Sequence, residues 1–239
     1  MPDTRSHRGP HPEDAMLFAT SAWPLLREAT RDLCWLLDRV YPNPSALKLV
    51  GDRYGLLKRQ RTAVARCVCS NDSKQRRQAK LVDPQHLRDQ ELWIDGYNVL
   101  TTLEAALGHA VLLAARDGCF RDMASMHGSY RKVAETIPAL ELLGKTVAVW
   151  NVARLHWLLD SPVSNSGRLK GIILDVAQQH GWNWSVELVQ NPDTVLAASE
   201  HVVATADSVI LDQCLQWINL ARIIVDERIP QAVVVDLSK

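Results

Sequence analysis

Four aspartates stand close behind short apolar runs: Asp95 after ELWI, Asp160 after RLHWLL, Asp193 after VELVQNP and Asp207 after HVVATA. Carboxylates gathered in one place repel one another, and burial pushes each toward its neutral form. A hard divalent cation, which prefers oxygen ligands, relieves both strains. Mg²⁺ or Mn²⁺ held by a few carboxylates keeps water ligands, polarises a phosphoryl oxygen and lowers the pKa of a bound water. The chemistry suited to such a set is metal-dependent phosphoryl hydrolysis, which needs neither a catalytic histidine nor a nucleophilic serine. An aspartate behind a strand also serves as a turn residue or helix cap. Asn191-Pro192-Asp193 reads as a turn, and Asp207 before Ser208 reads as an N-cap. The functional reading rests on four such residues in the same topological place.

The elements that must position them follow from the pattern. Apolar runs at 91–95, 153–160, 186–193, 201–207 and 232–236 predict five strands. Segments 99–113, 137–150, 168–180 and 209–220 predict helices between them, the third capped by Ser164, Asn165 or Ser166. The segment 116–133 predicts turns and a short helix. Alternating strands and helices make a parallel sheet with helices on both faces, an α/β fold of three layers. Such connections bring every strand's C-terminal end to one edge, where sites form. The four aspartates therefore arrive at one rim.

Residues 15–81 are helical in pattern: one piece through Leu25–Val40, one from Ser45 and one over 56–69. SNDSKQRRQ reads as a polar interruption. Asp83-Pro84 marks a boundary, so the expected organisation is a flexible leader at 1–14, a small all-helical basic domain at 15–85 and an α/β domain at 88–239. The charge is split along the chain although the net charge is zero. Residues 53–80 carry nine Lys/Arg and one acid, whereas 187–239 carry eight acids and three bases. Arg53, Lys58, Arg59, Arg61 and Arg66 form a candidate nucleic-acid face by counterion release. A solvated helix face is the alternative reading.

Five cysteines without regular spacing argue for buried thiols in a reducing interior. Cys67-Val-Cys69 has no second pair to complete a zinc site. The N-terminal residues lack the apolar core of a signal peptide. No run reaches the roughly 18 apolar residues of a membrane span. The expected location is the cytoplasm, with no membrane partner.

IDGYN at 94–98 resembles the opening motif of PIN-like and NYN ribonuclease domains. VVATADSVILD at 202–212 resembles their later motif, a strand followed by Thr-x-Asp with another acid inside the next helix. The chain as a whole is similar to a prokaryotic family catalogued as a domain of unknown function. The phrases that carry this are DRYGLLKRQRTAVARC (52–67), DGYNVLTTLEAAL (95–107), RDGCFRDMASMHGSYR (116–131) and LDSPVSNSGRL (159–169). The PIN-like resemblance spans about 91–239 and implies a Mg²⁺- or Mn²⁺-dependent ribonuclease. It places the metal at Asp95 and Asp207, with Asp160, Asp193 or Asp212 completing the set and Glu104 a lesser candidate.

Around that set, Asn98 follows the first aspartate, while Ser164, Asn165, Ser166 and Arg168 make a phosphate-binding corner behind Asp160. Arg121, His127 and Arg131 supply positive charge for an RNA phosphate or pair with the acids. Trp182 and Trp184 are candidates for base stacking or for core packing. The rival function is a nucleic-acid-binding protein whose acidic rim is catalytically silent. A haloacid-type phosphatase needs a second Asp two residues after the nucleophile, where this chain has Tyr97. No G-x-G-x-x-G supports a dinucleotide enzyme.

Overall fold

The computed structural model describes residues 7–124 and 128–239. The chain begins with helices α1 (Asp14–Leu17), α2 (Trp23–Leu37), α3 (Asn43–Arg53), α4 (Lys58–Cys67) and α5 (Asn71–Lys80). In α2 the apolar stripe Leu26, Ala29, Leu33 and Leu36 is buried at helical spacing, and in α4 Ala63, Val64 and Cys67 meet it. The polar stretch 70–78, expected to interrupt the helices, is itself most of α5. Ser70 Oγ caps it by accepting from Ser73 N at 3.1 Å. Its buried Arg77 then finds two carboxylates elsewhere in the chain. Tertiary ion pairing, invisible in local periodicity, explains the difference.

The α/β region follows as β1 (Glu91–Asp95), α6 (Gly96–Leu107), β2 (Leu112–Ala114), β3 (Phe120–Asp122), α7 (Thr136–Val149), β4 (Arg154–Asp160) and α8 (Ser166–His180). It continues with β5 (Trp184–Val189), α9 (Pro192–Ala197), β6 (Val202–Ala204), α10 (Ser208–Gln213), β7 (Trp217–Ile218), α11 (Leu220–Arg228) and β8 (Val234–Asp236). Five strands form an all-parallel sheet in the order β5-β4-β1-β6-β7. Leu92, Ile94, Trp157 and Ala204 face a core built with α6, α7, α8 and α11. Leu158, Val203 and Trp217 face the opposite core, shared with α9 and α10. The expected fold class, helices first and a parallel-sheet α/β unit after, is what the chain adopts.

Several details differ from the pattern-based expectation. The segment 232–236 does form a strand, β8, but outside the parallel sheet. It pairs with β2 in a second sheet of order β3-β2-β8. The fifth parallel strand is instead β7, two residues long, whose Trp217 Nε1 donates to Arg77 O at 2.7 Å. Two residues show no periodicity, so only tertiary contact marks them. The expected helix 209–220 breaks after Gln213 to admit β7. The expected helix 99–113 stops at Leu107, leaving room for β2, and β3 takes the place of a short helix within 116–133.

The second sheet joins the two regions. Leu112 and Ala114 face the main core, whereas Leu113, Ala115, Val235 and Leu237 pack with α2 and α4. The segment expected as a flexible leader is held from His7 onward. Arg8 N donates to Glu135 Oε2 at 3.1 Å and Arg8 Nε to Glu104 Oε2 at 2.9 Å. Glu104 is fully buried and also accepts from Tyr130 and Thr136 hydroxyls at 2.5 and 2.6 Å. Trp182 and Trp184 stack on each other with ring centroids 4.9 Å apart, and His180 stacks on Trp182. No helix among the described residues is long and apolar enough to cross a membrane.

Gly96 follows Asp95 because the chain turns from β1 into α6 hard against β4. A Cβ there would lie 2.5 Å from Leu159 Cδ2 and 2.7 Å from the Leu158 carbonyl oxygen. The backbone atom cannot be displaced cheaply. Gly96→Ala is expected to destabilise the protein by about 1–3 kcal/mol, read as a lower midpoint in urea unfolding. An unchanged midpoint would show that β4 yields freely at this point.

Candidate active site

Side chains alternate along a strand, so Asp95 and Trp93 share one face of β1, and Asp160 shares the matching face of β4 with Leu158. That face is covered by α9 and α10. In the sheet order, β1 leads toward β4 and β5, whereas β6 leads to β7 on the other side. The crevice between β1 and β6 is thus the topological switch point, where open α/β sheets place their ligands. Asp95 ends the first of these strands, and Thr205 to Asp207 follow the second.

Thr205 ties the two ends together. Its hydroxyl donates to Asp95 Oδ2 at 2.7 Å and accepts from Asp207 N at 2.9 Å. Asn98 Oδ1 accepts from Ala206 N at 2.8 Å and fixes the same loop. Asp207 Oδ1 caps α10, accepting from Val209 N and Ile210 N at 2.7 and 3.3 Å. The capping alternative is therefore realised, and it leaves Asp207 Oδ2 uncommitted.

A cavity of about 400 Å³ opens at this point, lined by Asp95, Asp122, Asp193 and Asp207 and by Arg66 and Arg121. Asp95 is 8% exposed and has no cationic partner among the described residues. Burial, then the charges of Asp207 and Asp193, push its carboxyl up to about 7 against the opposing Thr205 bond. Asp193 is raised by burial and by Asp207, and Asp160 by burial and by Asp193. Asp95, Asp193 and Asp207 act electrostatically on one another, and Asp160 feels Asp193 alone among them. Asp160 lies at the rim rather than among the residues lining the cavity.

The other anticipated residues separate into distinct places. Asp212 is removed from the carboxylate set: Arg77 grips it bidentately, Nε to Oδ1 and Nη2 to Oδ2, both at 2.8 Å. Glu104 is likewise removed, being neutralised by Arg8. Arg121 lines the cavity but donates to Ala206 O and Arg66 O, and pairs with Asp117 at 2.7 Å. Against a burial that would raise it, Arg121 and Arg77 hold the Asp117 carboxyl down to about 2. Ser164, Asn165, Ser166 and Arg168 sit at the start of α8; Asn165 and Arg168 line a separate groove with Arg131, whereas Ser166 is buried on the side of Tyr97. Neither Asn165 nor its neighbours cap α8 through a side chain; Asn165 adopts φ 71° and donates to Tyr130 O instead. His127 lies outside the described residues.

Three of the five cations of the expected basic face are half-buried and engaged within the chain. Arg59 pairs bidentately with buried Asp14 at 2.5 and 2.9 Å. Arg61 pairs with Asp52 at 2.8 Å and fills the space over Gly51, where a Cβ would meet its guanidinium at 2.5 Å. Arg66 donates to the carbonyls of Asp122 and Ala124. Arg53 and Lys58 remain exposed, Arg53 lying 3.5 Å from Asp32.

Two lining residues, Asp122 and Tyr97, and Thr205, which holds Asp95, were not anticipated as site residues. Thr205 was legible as the Thr-x-Asp spacing. Asp122 accepts from Thr101 and Thr102 hydroxyls at 3.1 and 3.2 Å, an arrangement with no local signal. The Tyr97 hydroxyl is buried with no partner in hydrogen-bond geometry among the described residues. Burial, then Asp160, push it up to about 12.

Among the described residues, no three Asp, Glu, His or Cys side chains form a ready metal cage. The set does not suit zinc, which takes three or four protein ligands. It suits Mg²⁺ or Mn²⁺, which bind through one or two carboxylates and keep water. Asp95 and the free oxygen of Asp207 are the residues that would hold such an ion.

Residues 84–223, more than half of the chain, match the family described as Domain of unknown function (DUF5616). The chain belongs to that family. Residues 25–80 match a second one, Protein of unknown function (DUF434). Uncharacterized protein MJ0935 of Methanocaldococcus jannaschii is 30% identical over 186 residues, covering 78% of this chain and 88% of the relative. No solved structure gives a significant match. The DUF5616 match contains β1, β4, β6 and all four aspartates.

The raised carboxyl of Asp95 has a consequence for stability. Its folded value, about 7, lies above the ordinary 3.8, so the folded state holds the proton more tightly. That contribution is fully present below 3.8 and is lost as pH rises through about 7. In chelator, wild type should lose stability across that window. Asp95→Asn, which keeps a carbonyl for Thr205 and cannot ionise, should flatten the profile and be more stable at pH 8 by on the order of 2 kcal/mol. Parallel urea-melt profiles for the two proteins would show that Asp95 carries no such charge penalty.

Proposed function

We propose that this DUF5616 protein is a Mg²⁺- or Mn²⁺-dependent nuclease that hydrolyses phosphodiesters of RNA. The observation that carries the reading is the group of uncompensated carboxylates Asp95, Asp193 and Asp207 in one cavity at the switch point of the sheet. The preference for RNA comes from the resemblance of IDGYN and VVATADSVILD to PIN-like and NYN ribonucleases. A divalent cation supplies phosphoryl polarisation and a more acidic water when bound.

The chain's own residues do the rest. Asp95 and Asp207 hold the ion. Thr205 fixes the rotamer of Asp95 and favours its charged form. Asp193, exposed at the start of α9, stands at the mouth of the cavity and can accept a proton from an entering water. Arg66 and Arg121 set the position of the loop around Ala206 and of β3 rather than gripping substrate.

Cleavage of labelled RNA with Mn²⁺ tests the reading. Cutting should be abolished by chelator and reduced by on the order of a hundredfold or more in Asp95→Asn, as for loss of a preorganised electrostatic contact. Identical background cutting in both proteins, with or without chelator, sinks the nuclease reading. RNA binding without any cutting would favour the rival, a nucleic-acid-binding protein with a silent rim.

Thr205→Val gives an independent check on the pH profile of cutting. The Thr205 bond lowers the Asp95 pKa, so removing it raises that pKa. The acidic limb of the rate profile should move to higher pH. An unmoved limb would mean that Asp95 does not control the rate.

A further inference from the structure

A second groove, of about 240 Å³, lies beside the acidic cavity and is lined by Tyr130, Arg131, Lys132, Asn165, Arg168 and the apolar side of α8. No carboxylate lines it. Its cations come from two remote segments that are stitched together. Tyr130 N donates to Ser164 O at 3.0 Å, Ser164 N to Gly128 O at 2.9 Å, and Asn165 Nδ2 to Tyr130 O at 3.0 Å. Tyr130 is in turn anchored through its hydroxyl on Glu104, which Arg8 pairs. Fixing three cations around one concavity costs repulsion that a bound anion relieves. Arg131 also interacts within the chain. Lys132 and Arg168 are exposed and have no polar partner among the described residues.

The groove and the acidic cavity meet at a pair of tyrosines. Tyr97 lines the cavity, Tyr130 lines the groove, and their ring centroids are 5.5 Å apart. The cavity itself offers a polyanion little, because Arg66 and Arg121 are engaged by backbone carbonyls. Positive charge for the flanking phosphates of a substrate must come from beside it. The groove is too small for a duplex and of a size for a phosphate with its sugar.

We infer that this groove is a phosphate subsite for single-stranded RNA, gripping the backbone next to the segment that enters the acidic cavity. The inference rests on the nuclease reading for the identity of the polymer. Lys132 and Arg168 provide the ion pairs, Asn165 shapes the floor, and the Tyr97–Tyr130 pair separates the two stations.

The test is fluorescence-anisotropy binding of labelled oligouridylate to the full-length protein in chelator, where cutting does not interfere, over a range of salt. Lys132→Ala with Arg168→Ala should weaken binding about tenfold or more. It should also make the log–log salt slope shallower by about 1.4, the loss of two phosphate contacts on a single strand. Lys145→Ala, an exposed cation on α7, should change neither. Equal affinity and slope in the double variant and wild type would overturn the subsite, as would a wild type that does not bind the oligonucleotide. Metal-dependent cutting, measured separately, keeps the nuclease reading apart from either result.

Discussion

A carboxyl group buried at the end of the central strand, with a threonine hydroxyl against it and no cation among the described residues, sets terms for everything nearby. Taking a charge out of water is unfavourable unless something compensates it. Asp95 is only partly compensated, by Thr205, and two further carboxylates make matters worse. The neighbouring backbone therefore has to hold the arrangement from outside. Asn98 ties α6 to the loop after β6, Asp207 caps α10, and Gly96 lets β4 close in behind.

The helices that precede the sheet take part in this support. Arg77 on α5 spans Asp117 and Asp212, Arg121 on β3 reaches from Asp117 to Ala206, and Arg66 on α4 holds the backbone at Asp122 and Ala124. Asp117 is the hinge of the network, shared by two arginines and held charged by them. Buried charges of this kind are satisfied only as a set, so removing one member strands the others. Within the basic run, Arg66, Arg77 and Lys80 are the means by which the helical region grips the α/β region.

Much of this was legible in the sequence, and the limits have physical causes. Strands β1, β4, β5 and β6 announce themselves as apolar runs, and the order of strands and helices implies that their aspartates share an edge. The glycine and asparagine after Asp95 signal a tight, polar turn. By contrast, β7 has only Trp217 and Ile218, too few for any period. The pairing of β8 with β2 is a long-range choice that local pattern does not encode. Helix α5 reads as a loop because its stabilising partners, Asp117 and Asp212, are distant in the chain. Charge counting likewise failed to separate Asp212, which has an arginine, from Asp95, which has none among the described residues.

The small sheet also bears on how the protein is made. Val235 and Leu237 complete the core that α2 and α4 begin, and Arg27 on α2 donates to the Asp236 carbonyl at 2.8 Å. Part of the apolar face of α2 and α4 is thus covered only when β8, distant in the chain, is in place. Contacts of such separation form slowly, because the intervening chain must be closed first. Without β8 that face would stay open to solvent, the kind of apolar surface through which partly folded chains aggregate.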